Sequence, residues 1–172
     1  YRADSITENY KSLVLRFKGD FSIEFRAYND GIAYRFINHS KQPFCIKNET
    51  VEYHFPDNYQ VTVPYVRENE GNIEAQFFNS FENVYETTSL TGYNPKRLSF
   101  LPLLVDTGTG VKMCITETNL ENYPGLYMNI SQIHPHTMVG VFARYPKYVK
   151  QGGHNNLQLL VTEREQYIAE VN

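Results

Sequence analysis

The chain has no tryptophan, only two cysteines, and no run of lysine or arginine anywhere in its 172 residues. The missing basic stripe matters first. With 16 Lys and Arg against 19 Asp and Glu, the net charge is −3, so the electrostatic footprint of a nucleic-acid binder is absent. Cys45 and Cys114 stand apart in apolar surroundings, neither in a CxxC arrangement, so they cannot form a four-ligand metal site by themselves. Whether they pair is left open by their spacing, buried free thiols being the blander alternative. No apolar run is long enough to span a bilayer, and Tyr1-Arg2-Ala3-Asp4 shows no signal peptide. There is no internal repeat, heptad or low-complexity segment. Asp106-Thr107-Gly108-Thr109-Gly110 lacks the GxxxxGK[ST] pattern and a following helix, so it is a turn and not a phosphate loop.

What is abundant is aromatic. Fourteen Tyr and 11 Phe bring the aromatic share to 15%, and 41% of the chain is hydrophobic, an ordinary soluble proportion that can bury a core in one domain. Phe21, Ile23 and Phe25 alternate with Ser22, Glu24 and Arg26, the period of two expected of a half-buried strand. Asn29-Asp30-Gly31 then predicts a type I′ hairpin turn returning through a strand over Ile32–Asn38. Arg26 and Arg35 on this hairpin, with Glu24 nearby, predict a cross-strand ionic pair. Further strands are expected at Lys11–Lys18, Thr50–Phe55, Gln60–Val63, Ile73–Phe78, Val84–Ser89 and Leu98–Val105. The series continues at Val111–Thr116, Leu126–Ile130, Met138–Arg144 and Leu157–Val161. Only Asn79–Asn83 and Glu163–Glu170 have the composition of short helices. Many short strands with polar turns argue for an all-β sandwich or barrel, with residues 1–172 forming a single domain.

The stretch from Val111 to Asn129 carries the most chemistry. An apolar run, Val111 to Ile115, delivers a carboxylate, Glu117, where the run ends. Thr118-Asn119-Leu120-Glu121-Asn122 cannot continue a strand, and Tyr123-Pro124-Gly125 is turn chemistry. The strand pattern resumes at Leu126. A carboxylate at a strand end beside a rigid turn is where scaffolds hold functional groups, although an arbitrary loop acid is usually just solvated. Glu117 and Glu121 are the tempting pair for glycoside hydrolysis, which needs two carboxyl groups about 5 to 9.5 Å apart. Nothing in the sequence supplies surroundings that would set their pKa values apart, so they are rejected as an acid–base couple.

Ile115-Thr116-Glu117 followed by Leu120-Glu121-Asn122-Tyr123-Pro124-Gly125 resembles the N-terminal domain of glycoside hydrolase family 97, bacterial α-glucosidases and α-galactosidases. Phe21-Ser-Ile-Glu-Phe-Arg-Ala-Tyr-Asn-Asp-Gly-Ile-Ala-Tyr-Arg-Phe36 resembles a hairpin of the same family, in the right order. Leu101-Pro102-Leu103-Leu104-Val105 and Glu163-Arg-Glu-Gln-Tyr-Ile168 fit more loosely. The resemblance implies an antiparallel β-sandwich of the galactose-mutarotase-like supersandwich type, forming most of the N-terminal domain of a larger glycosidase. Its catalytic (β/α)8 barrel would lie beyond this chain, which then holds no catalytic residue of its own. It also implies a glutamate-ligated calcium ion near the catalytic site, to which Glu117 would contribute. One carboxylate is too few for a hard cation that takes six to eight oxygens, so the partners would lie on the barrel. Asn119, Asn122 and Tyr123 become candidates for the substrate rim, facing an oligosaccharide. A periplasmic or exported location is implied in the same way. Because the family's domain has strands before the position of Tyr1, the sheet edge at Lys11–Lys18 and Phe21–Asn29 is expected to pair as a homodimer.

Two other classes compete. A stand-alone carbohydrate-binding module would have no catalysis, but such modules commonly rely on an exposed aromatic platform, often Trp, which this chain lacks. Exposed Tyr53, Phe55, Tyr59, Tyr65, Tyr123 and Tyr127 are the substitutes, with core and cross-strand packing the commoner fate of such rings. A mutarotase-like epimerase would need a His acid and a Glu base, with His134 or His154 available. His134-Pro135-His136 would form a metal pair only if extended and joined by a third ligand, and Pro135 argues for a loop.

Overall fold

In the computed structural model, residues 7–39, 49–118 and 125–143 are described in full, and 165–171 as backbone. Two antiparallel sheets face each other. The larger begins with β1 (Lys11–Arg16), β2 (Phe21–Ala27) and β3 (Ile32–Asn38), which form a meander. β11 (Glu165–Val171) follows β3 in space and joins it to β8 (Lys112–Thr116), β7 (Leu103–Asp106), β5 (Gln60–Val63) and β6 (Glu86–Ser89). The smaller sheet has the order β4 (Glu52–His54), β10 (Thr137–Val141), β9 (Tyr127–Ile130). The all-β sandwich expected from the sequence is therefore the observed architecture.

Alternation builds the core. Val61 and Val63 of β5, Leu103 and Val105 of β7 and Ile115 of β8 point inward from the larger sheet. Leu126, Met128 and Met138 meet them from the smaller one. Side chains from two inner faces interdigitate this way in aligned sandwiches. A second cluster, Val66, Leu98, Phe100 and Tyr127, lies on the other face of β9. β9 is thus sandwiched on both faces, and its ends are positions where groups can be held rigidly.

On the β2–β3 hairpin, Glu24 accepts from Arg26 Nε (3.0 Å) and from Arg35 Nε (2.6 Å), the expected cross-strand ionic group. Burial of Glu24 opposes its charge, but the two guanidiniums outweigh it and hold its pKa below the usual value. The turn itself differs from expectation. Tyr28 N donates to Gly31 O at 2.8 Å, and none of Asn29, Asp30 and Gly31 has positive φ, so the loop is a wider connection than type I′.

Three other segments depart from the sequence expectation. Ile73–Phe78, read as a strand, contains the one-turn helix α1 (Ile73–Gln76), because Asn72 Oδ1 caps it at Ala75 N (3.2 Å). Gln76, fully buried, then spends its whole amide on backbone: Nε2 donates to Asn69 O and Lys96 O, and Oε1 accepts from Leu98 N at 2.6 Å. Asn79–Asn83, read as a short helix, is an irregular loop with Phe81 at φ +56°. Glu163–Glu170 has helix-forming composition, yet 165–171 is strand β11, since the gap between β3 and β8 supplies ladder partners on both sides. Leu157–Val161 lies outside the described residues.

Candidate functional site

Glu117 follows directly on β8, where the apolar run ends, as the sequence places it. Its Oε2 accepts the backbone N–H of Leu126 at 2.7 Å, so the acid bridges the end of one strand and the start of β9 in the opposite sheet. Its Oε1 is buried and, among the described residues, has no hydrogen-bond partner. Burial pushes the Glu117 pKa from the ordinary 4.5 to about 7; the Leu126 N–H pulls against that, and the negative charge of Glu49 adds to it.

Glu49 is the residue that local sequence patterns do not flag. It precedes β4 and is only 8% exposed. The chain after it is clamped against β10 and β9: Gly140 N donates to Val51 O at 2.8 Å. A side chain at 140 would meet Leu126 Cδ1 at 2.6 Å and Val51 Cβ at 3.0 Å, so only glycine lets the three segments close up. That approach brings the Glu49 segment and the Leu126 amide that holds Glu117 to one place. The Tyr53 hydroxyl is buried in the same region. Its pKa is pushed up to about 12, mainly by burial, with the charges of Glu49 and Glu117 adding to the effect.

The site is therefore two acids and a phenol, all oxygen donors, with buried oxygens on each. Such a set suits a hard cation. It does not suit soft-metal or nucleophilic chemistry, which would call for a thiolate, imidazole or activated hydroxyl. Among the described residues no three His, Cys, Asp or Glu are grouped to hold a metal, so Glu117 and Glu49 by themselves do not make a metal site.

Asn119, Glu121, Asn122 and Tyr123 lie outside the described residues, as do His154 and Cys45; the Cys114 thiol is free. Tyr127 packs inward with Phe77, ring centroids 4.9 Å apart, and is core rather than platform. His136 has φ +51° in a turn, and the His134 ring faces His54 (5.9 Å) instead of pairing with it.

Residues 1–161 match the family described as Glycosyl-hydrolase 97 N-terminal. The whole chain aligns at 53% identity with a retaining α-galactosidase of Bacteroides thetaiotaomicron and spans 26% of that protein's length. Among solved structures, a glycoside hydrolase family 97 enzyme in complex with acarbose, from Pseudoalteromonas sp. strain K8, superposes with a TM-score of 0.55. The identity is 16%, over 93% of this chain and 22% of that one. A variant of that strain's enzyme in complex with panose gives the same values. At such identity these structures speak for the fold alone.

Proposed function

Because the chain belongs to glycoside hydrolase family 97, as its N-terminal domain, we propose that it acts in cis with a catalytic domain and lends Glu117 to a calcium site at their junction. The carrying observation is the buried Oε1 of Glu117, which has no hydrogen-bond partner among the described residues, within reach of the charge of a second buried acid, Glu49. A carboxylate oxygen removed from water without a partner costs free energy, and a divalent cation reverses that cost. Calcium would supply a fixed double positive charge there. The chain's own part is to aim the Glu117 carboxylate, through the Leu126 N–H and the Gly140 clamp. Asn119, Asn122 and Tyr123 would shape the substrate rim.

The 53% identity to a retaining α-galactosidase supports an α-galactoside as substrate of the parent enzyme, in preference to an α-glucoside. The same resemblance supports an exported, periplasmic enzyme acting on oligosaccharides. Glu117→Ala in the full-length enzyme is expected to weaken calcium binding and activity together while leaving the fold intact. Activity that survives with unaltered calcium dependence would remove Glu117 from the site.

A further inference from the structure

The loop after α1 breaks two local rules at one residue. Phe81 has φ +56°, a left-handed conformation that strains a bulky side chain and that turns normally give to Gly or Asn. The residue is also 58% exposed, where a polar one would be the ordinary choice. Val84, 76% exposed, and Tyr85 continue the apolar surface.

This loop is held in shape from within. Asn79 Nδ2 donates to Gln76 O and to Tyr127 Oη, and its Oδ1 accepts Phe81 N at 2.7 Å. Asn83 Nδ2 donates to Tyr65 O, and Tyr85 Oη donates to Pro102 O. Phe81 is further steadied by rings of Phe100 (5.7 Å) and Tyr127 (5.8 Å). A rigid loop presenting exposed apolar side chains on a strained backbone is pre-organised for something outside this domain.

The occupant can be narrowed. The amides of Asn79 and Asn83 are turned into the fold by the bonds just named, which leaves Ser80 and Glu82 as the exposed polar groups beside Phe81. Phe81, Val84 and Tyr85 exposed together with charged groups at their margin match the apolar centre and polar rim of a protein interface. The relative of which this chain spans 26% carries most of its polypeptide outside the matched region, so a large body of chain is available in cis. Tyr127, which supports Phe81, directly follows Leu126, which holds Glu117, so the loop and the acid are anchored on adjacent residues at the start of β9.

We propose that Phe81, Val84 and Tyr85 form the surface on which the catalytic part of the same polypeptide seats against this domain, through an apolar recess that receives the Phe81 ring. This rests on the reading that the domain works in cis with a catalytic domain; it does not depend on calcium or on Glu117.

Hydrogen exchange read by mass spectrometry, on the full-length enzyme and on the 172-residue chain, tests it. Amides of 77–86 are expected to exchange at least tenfold more slowly in the full-length protein. A Phe81→Ser, Val84→Ser double variant of the full-length enzyme is expected to split its thermal unfolding into two transitions. Phe81→Gly, which relieves the backbone, should leave the isolated chain folded while abolishing the tenfold protection in the full-length protein. Equal exchange at 77–86 in both proteins overturns the proposal. If protection appears only over β1–β3, the cis reading stands and this surface falls; if it appears nowhere, both fall. Protection of 77–86 in the isolated chain that grows with its concentration would assign the loop to a second copy and overturn the proposal as well.

Discussion

Replacing Glu117 by Gln in the metal-free 172-residue chain should change how its stability depends on pH more than how stable it is. The amide oxygen can still accept the Leu126 N–H, so the geometry is kept while the charge is lost. In the wild type, the folded-state pKa is about 7 against the ordinary 4.5. Below pH 4.5 both folded and unfolded chains carry the proton, and the stability is fully present. As pH rises, the unfolded chain gives up its proton first, the folded chain binds more protons than the unfolded, and stability falls until pH passes the folded value. A shift of this size amounts to about 3 kcal/mol at full transfer; Glu117 is only half-buried, and solvent screening brings the expected loss to about 2 kcal/mol. The variant places an amide nitrogen at the buried Oε1 position, a cost of about 1 kcal/mol that does not vary with pH. Urea unfolding at several pH values from 5 to 8, in chelator, reads the slope directly. The wild type should lose about 2 kcal/mol across that window relative to the variant. Parallel pH profiles, or a wild type that gains on the variant as pH rises, would refute a buried, uncompensated Glu117.

Other outcomes follow from the same contacts. Gly140→Ala puts a methyl where Leu126 and Val51 already stand, and should cost about 1–3 kcal/mol by thermal or urea unfolding. Gln76→Leu leaves Leu98 N–H and two carbonyls without their partners in a buried place; a loss of about 3 kcal/mol is expected, seen also as faster exchange at Leu98. The isolated chain should not hydrolyse p-nitrophenyl α-galactoside, since no acid–base couple is proposed for it; turnover abolished by Glu117→Gln would return that residue to catalysis. Finally β1, an edge strand with both faces exposed, should pair with a second copy in the isolated chain, and light scattering that stays monomeric at high concentration would show that this edge is closed.

Much of the sandwich was legible because it is written in period-two patterns. β5 falls on Gln60–Val63 as read, β2 and β3 pair as expected, and Asp106–Gly110 is the turn between β7 and β8, with Gly108 and Gly110 at positive φ. Glu117 stood out where an apolar run ends ahead of a Pro-Gly turn pattern, and the family resemblance of the surrounding residues set it apart from an ordinary loop acid. What sequence patterns missed depends on distant partners. Helix-forming residues at 165–171 became a strand because two strands far away in sequence left a slot between them. The apolar Ile73–Phe78 lost its strand to a buried glutamine that answers three backbone groups elsewhere. Glu49 sits in an undistinguished Asn-Glu-Thr, and only folding brings its charge within reach of Glu117. Phe81 carries no local sign that its backbone is left-handed.

We propose above that this domain gives one carboxylate to a calcium ion shared with the catalytic domain. A crystal structure of the full-length enzyme with calcium tests it most directly. A cation is expected within about 2.3–2.6 Å of a Glu117 oxygen, its remaining protein ligands coming mainly from the catalytic domain. A calcium ion held near the catalytic site entirely by that domain, with Glu117 Oε1 still unpartnered, would contradict it.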